Sequence, residues 1–190
     1  MDIDLLIKEA IKGHRSAQKQ LYDCHAAAML GVCYRYTKSL QDAEDVLQEG
    51  FIKMFNNLER YREDGEFAAW LRRIMVNTCI NYLKKNSRYN AELVFNDRDL
   101  APVIMAVAED GAESTLNVKQ MLSLVRQLPT GYQAIFNLHA IEGYSHVEIG
   151  SMLGITDVTS RTQFFKARKL LRKWIAGMET PNAKINNDAG

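Results

Sequence analysis

The chain lacks most of the patterns that mark other protein classes. Three prolines in 190 residues, Pro102, Pro129 and Pro181, leave long stretches free to run as uninterrupted helix. No sustained apolar–polar alternation argues for a sheet. No apolar run approaches the roughly 20 residues of a membrane span. The opening MDIDLLIKEAIKGH is charged and helical in pattern where a secretory leader would be apolar, so a cytoplasmic protein is expected. Cysteine is scarce, with Cys24, Cys33 and Cys79 at no CxxC spacing. In a cytosolic chain these are expected as small buried side chains, the alternative being a zinc site on Cys24 and His25. There is no phosphate-binding glycine loop, dinucleotide fingerprint or cluster of metal ligands, and His14, His25, His139 and His146 are scattered over helical segments. The chain therefore reads as no enzyme, with no cofactor, no metal and no small-molecule substrate. An excess of one charge is missing too: 24 Lys and Arg against 23 Asp and Glu leave a net charge of +1. No case for a nucleic-acid partner can rest on that total.

Charge is present instead as blocks. Phe67 to Ala91 holds Arg72, Arg73, Lys84, Lys85 and Arg88 and no acid. Val158 to Met178 holds Arg161, Lys166, Arg168, Lys169, Arg172 and Lys173, again without an acid. Between them, Glu92 to Thr115 carries six acids against Arg98. Two basic blocks separated by an acidic stretch suggest two nucleic-acid contacts on one chain.

The second block carries the most specific motif. Residues 144–173, YSHVEIGSMLGITDVTSRTQFFKARKLLRK, read as two short helices around Leu153, Gly154, Ile155 and Thr156. Gly154 sits where a sharp turn often needs positive φ. Gly150 leaves room for the second helix to approach, and Ile149, Leu153 and Ile155 supply apolar pins. Thr156 and Asp157 offer acceptors to the next helix's free amides. Phe164, Ala167 and Leu171 would face the core, with Arg161, Thr162, Phe165 and Lys166 largely on the other side. The pattern is a helix-turn-helix whose second helix can enter a major groove. An ordinary helical hairpin with a solvated basic face is the alternative.

The rest reads as almost wholly helical. Residues 4–12 form a short amphipathic helix. Leu21, Tyr22, Ala26, Met29, Leu30, Cys33 and Tyr36 mark one face of a second. Ser39 opens a third, with acids in its first turn and Val46, Leu47, Phe51, Met54, Phe55 and Leu58 as its stripe. After a polar loop, a long helix runs from about Glu66 to Lys85, with Phe67, Trp70, Leu71, Ile74, Cys79 and Leu83 apolar. Residues 91–115 have weak periodicity and read as a linker, with a local helical turn at Val103–Val107. The Asn- and Ala-rich tail after Gly177 is expected to be disordered. The fold class is all-α: an N-terminal helical bundle and a C-terminal helix-turn-helix domain joined by a flexible linker.

Residues 42–55, DAEDVLQEGFIKMF, and 67–85, FAAWLRRIMVNTCINYLKK, resemble the core of bacterial RNA polymerase sigma factors of the sigma-seventy family, most closely the small extracytoplasmic-function (ECF) group. Residues 128–172 resemble the promoter −35 binding domain of the same group. The resemblance implies region 2 at 1–90, an acidic linker at 91–115, region 4 at 116–177 and a tail at 178–190. It implies a transcription initiation factor that binds core RNA polymerase and directs it to promoter DNA through −10 and −35 elements. The alternative is a stand-alone helix-turn-helix transcriptional regulator.

By resemblance, Asp45, Gln48 and Phe51 dock on the polymerase. The −10 reader is the 61–67 loop and the helix after it. Its pocket would use Arg62, Asp64 and Gly65. Asn77 and Asn81 would hydrogen-bond bases or phosphates, and Arg73, Lys84, Lys85 and Arg88 would track the backbone. Trp70 fits either core packing or base stacking. The −35 reader presents Arg161, Thr162, Phe165 and Lys166 to the groove, with Arg168 and Lys169 on phosphates. Exposed Phe165 calls for an apolar partner such as a thymine methyl.

This sequence departs from the group's pattern in three places. Val158 replaces a common glycine, Ser160 a valine that pins the core, and Gln163 a basic residue, a change expected to alter base preference or remove a phosphate contact. The linker's 25 residues span at most about 80–90 Å, enough for promoter elements roughly 70 Å apart. The free protein is expected to be monomeric. An anti-sigma factor, which holds many members of the group, is a candidate partner.

Overall fold

The computed structural model describes residues 3–62, 65–85 and 118–178. All regular structure among them is helical. The chain divides into two units, with the break between Ser87 and Arg88.

The first unit holds α1 (Ile3–Ile11), α2 (Arg15–Tyr34), α3 (Leu40–Asn56), a 3-10 turn at Leu58–Arg60 and α4 (Phe67–Lys85). α2, α3 and α4 pack against one another, and α1 closes on α2. The stripes predicted from periodicity supply most of the core: Leu21, Met29, Cys33 and Tyr36; Val46, Leu47, Phe51, Met54 and Leu58; Phe67, Leu71, Cys79 and Leu83. Met75, Val76 and Ile80 join them and widen the buried face of α4 beyond the predicted stripe. Tyr22 is exposed, and Phe55, Trp70 and Ile74 are half-buried. Cys24 is exposed, unlike buried Cys33 and Cys79, so the expectation of three buried cysteines is corrected. No group of metal-ligating side chains forms among the described residues.

Two local devices set the first unit's geometry. Ser39 caps α3, its hydroxyl accepting from the Asp42 amide at 3.0 Å. Gly50 lets α3 and α4 meet closely: a Cβ there would lie 2.2 Å from Met75 Sδ.

The second unit holds α5 (Val118–Gln127), α6 (Thr130–Phe136), which continues into a π-helical turn at Asn137–Ile141, α7 (His146–Leu153) and α8 (Asp157–Met178). Leu124, Val125 and Leu128 pack on Ala167 and Leu171, flanked by Tyr132, Phe136 and Trp174. A full capping box opens α7. The Ser145 hydroxyl accepts from the Glu148 amide, and the Glu148 carboxylate accepts from the Ser145 amide at 2.8 Å.

The turn between α7 and α8 follows its sequence signals. Gly154 has φ +72°, in the left-handed region. A Cβ on Gly150 would meet the Ile155 carbonyl oxygen at 2.7 Å, so that glycine admits the turn's backbone. The Thr159 amide donates to Thr156 Oγ1 at 3.1 Å, which caps α8. The expected helical turn at 103–107, the linker and the tail from residue 179 lie outside the described residues.

Candidate nucleic-acid and polymerase interfaces

On α3, Asp45 and Gln48 are exposed and lie on one face. Phe51 does not join them. It is 3% exposed and its ring centroid sits 4.6 Å from that of Tyr22. The reason is helical phase: six residues past Asp45 is about 120° away around the helix. Seven residues past Asp45, within about 20° of it, comes Ile52, which is 60% exposed. The outer face of α3 therefore presents Asp45, Gln48 and Ile52, and Phe51 anchors that face from beneath. Glu49, at the flank, pairs with Lys53 at 2.7 Å, and this bond holds its carboxyl below the usual range.

On α4, Arg73, Asn77, Asn81 and Lys84 are all exposed and fall on one stripe, opposite buried Leu71, Met75 and Cys79; Lys85 borders it. Arg62 is exposed at the near end of the loop, and Gly65 is exposed beyond it. Asp64 and Arg88 lie outside the described residues.

Both feet of the loop are clamped by rings. Tyr61 meets Phe67 edge-on at 5.3 Å and Trp70 at 5.3 Å, and its hydroxyl donates to the Gly65 carbonyl at 2.5 Å. His25, on α2, lies 5.3 Å from Phe67. Burial pushes its imidazole below its ordinary value. Trp70 is half-buried within this cluster, beside the polar stripe, which suits packing on one ring face and leaves part of the indole accessible. The clamp was not legible beforehand, since His25 and Tyr61 are distant in sequence and follow no spacing rule.

On α8, Arg161, Thr162, Phe165 and Arg168 are exposed and Lys166 is half-buried. Arg161 Nε stands 3.5 Å from an Asp157 carboxylate oxygen. The Thr162 hydroxyl donates to the Val158 carbonyl at 2.9 Å. Arg168 lies over the Phe164 ring, 5.8 Å from its centroid.

Of the departures from the group's pattern, Gln163 lies on a different side of the helix from that expected, while Ser160 lies in the core as expected. Gln163 is 7% exposed and its side chain lies on the core side of α8, away from the exposed groove-facing residues. Ser160 is fully buried, and its Oγ lies 2.9 Å from His146 Nδ1, so a polar pair replaces an apolar pin. His146 stacks on His139 at 4.1 Å, and His139 Nδ1 donates to the Tyr144 carbonyl at 2.8 Å. Burial, then electrostatic repulsion from neighbouring His139 and Arg161, hold the His146 imidazole below its ordinary value, against an opposing pull from Asp157.

Comparison with known proteins agrees with this anatomy. The Sigma-70 region 2 family model matches residues 21–89, and the Sigma-70, region 4 model matches residues 119–171. The chain is 28% identical over 180 residues to the ECF RNA polymerase sigma factor SigW of Bacillus subtilis, covering 91% of this chain and 96% of that one. It is 28% identical over 180 residues to the RNA polymerase sigma-H factor of Pseudomonas aeruginosa, covering 88% and 91%. It is 29% identical over 160 residues to the longer SigE of Mycolicibacterium smegmatis, covering 84% of this chain and 62% of that one. Among solved structures, the sigma factor RpoE of Bartonella quintana, crystallised with the anti-sigma factor NepR, shares the fold with a TM-score of 0.51 and 18% identity, covering 83% of this chain and 96% of that one. The chain belongs to the sigma-70 family, in its extracytoplasmic-function group, and is a transcription initiation factor that directs RNA polymerase to promoters.

Proposed function

We propose that the two units divide promoter recognition through the surfaces described above. In the first unit, the outer face of α3 docks on core RNA polymerase through Asp45 and Gln48, with Ile52 as their apolar companion. An acidic face with one exposed aliphatic residue suits a partner helix of opposite charge. The α4 stripe holds the opened −10 strand: Arg73, Lys84 and Lys85 neutralise phosphates, and Asn77 and Asn81 bond bases or sugars. Arg62 and Gly65, with Asp64 between them in sequence, border the pocket for an extruded base. In the second unit, α8 enters the major groove of the −35 element with Arg161, Thr162, Phe165 and Lys166, while Arg168 and Lys169 serve register on the backbone.

The domain limits that go with this reading are 1–90, 91–115, 116–177 and 178–190. The protein works in the cytoplasm beside the polymerase, in keeping with the absence of any helix among the described residues long and apolar enough to cross a membrane. An anti-sigma factor is a fitting regulator, as the Bartonella complex illustrates for its own sigma factor.

The observation that carries the reading is the exposed Arg73–Asn77–Asn81–Lys84 stripe on α4, which a stand-alone regulator binding through its helix-turn-helix does not need. Mixing the purified chain with core RNA polymerase tests it. Co-elution and promoter-dependent initiation are expected. A chain that binds duplex DNA but neither co-elutes nor starts transcription is the stand-alone regulator.

A further inference from the structure

The groove-facing side of α8 is unusually apolar for a helix among so many cations. Val158 is 65% exposed and Phe165 68% exposed. Seven residues apart, they lie within about 20° of each other around the helix, so they form one stripe. Thr162 stands between them, and its hydroxyl proton is already engaged by the Val158 carbonyl at 2.9 Å. Arg161, the neighbouring cation, leans on Asp157. This side of the helix thus offers two large exposed apolar side chains beside its cations.

We propose that Val158 is a specificity-determining residue of the −35 reader, and that it and Phe165 each select a base pair carrying a thymine methyl. The proposal rests on the assignment of α8 to the −35 groove. Thymine's C5-methyl is the one apolar group a base pair shows in the major groove. An exposed valine gains there what water denies it, and a hydrogen-bonding base edge gives it nothing. The neighbouring Arg168 and Lys169, both exposed, bring the phosphates that hold the stripe against the bases. Spacing sharpens the claim. Seven residues of helix rise about 10 Å, so the two methyls stand at most about three base steps apart. Val158 occupies the first turn of α8, the end of a recognition helix that reaches deepest.

The test uses the full chain with core RNA polymerase. Duplexes are first selected from a random library, which defines the element. Each thymine in it is then replaced by deoxyuridine, which removes only the methyl. For the wild type, two positions within about three steps should each lose roughly fourfold in affinity, the value of one buried methyl-sized group. In Val158→Ala one of these losses disappears and the other stays; in Phe165→Ala the pattern reverses. Val158 is exposed and alanine favours helix, so folding survives the change. If Val158→Ala responds to every deoxyuridine as the wild type does, or if the element has no thymine under this helix, the methyl-reading role is wrong while the promoter reading stands. If the holoenzyme enriches no element at all, the promoter assignment itself fails, and the role of Val158 with it.

Discussion

Gly50 and Gly150 both sit where a methyl group would collide, yet the two collisions differ in kind. At Gly50 the obstacle is the flexible end of Met75; at Gly150 it is the backbone carbonyl of Ile155, which cannot rotate away. Alanine gains about 1 kcal/mol of helix propensity at either site. Gly150→Ala should therefore remain destabilising by about 1–3 kcal/mol, and Gly50→Ala by clearly less. Urea unfolding ranks the two, and the reverse order would contradict this account. Histidine protonation is a second effect at this scale. Burial disfavours the charged imidazoles of His25 and His146, so their folded values lie below the ordinary 6.5. Above that pH their contribution to stability is complete. As pH falls below it, the unfolded chain takes up protons that the folded chain refuses, and stability declines until the lowered folded values are passed. His146→Asn, which can still reach Ser160, should flatten part of the acid-side fall in thermal midpoint. An unaltered pH profile would show that His146 does not titrate in this way.

At the scale of elements, each helix carries one face for its neighbours and one for a partner. On α4 the outward stripe mixes cations and amides, and salt dependence separates their roles. Arg73→Ala or Lys84→Ala should weaken holoenzyme binding to opened promoter DNA. Each should reduce the slope of log affinity against log salt by about 0.7 if it neutralises one single-strand phosphate. Asn77→Ala and Asn81→Ala should weaken binding with the slope intact. On α3, Phe51→Ala should destabilise the fold by about 3–5 kcal/mol, while Asp45→Ala with Gln48→Ala should impair polymerase co-elution with unfolding unchanged. If the double variant co-elutes normally, this face is not the docking surface. Ser145→Ala removes the hydroxyl arm of the α7 capping box, leaves the Ser145 amide bonded to Glu148, and should cost about 1 kcal/mol. The Ser145–Glu148 spacing was available as a signal, though the turn around Gly154 was the stronger marker.

At the scale of the whole molecule, the described helices fall into two compact units, each with buried apolar side chains of its own. Denaturation followed by circular dichroism should show two transitions. Phe51→Ala should move one and Gly150→Ala the other. A single transition shifted equally by both would mean that the units fold as one.

Much of this was readable from the order of residues. Periodicity located the helices, because burying one face of a 3.6-residue repeat is the simplest way to hide apolar side chains. Gly154 and Thr156 marked the turn because left-handed backbone and free helix amides each demand particular chemistry. The basic blocks and the acidic stretch between them stand in the sequence itself. Which side of a helix a residue occupies near the edge of its stripe was decided only in three dimensions. Phe51 kept to the apolar stripe that periodicity gave it, which took it off the docking face, and Ile52 stood exposed there instead. Gln163 went into the core and Ser160 found His146, because the packing of α7 on α8 determines what surrounds those positions. The Tyr61–Phe67–Trp70–His25 clamp likewise exists only where α2 meets α4. Sequence alone determined the helices, the turn and the family resemblance, since these depend on local chemistry and spacing. Tertiary structure decided which side chains remain free to meet polymerase and DNA, since exposure depends on neighbours brought together from distant parts of the chain.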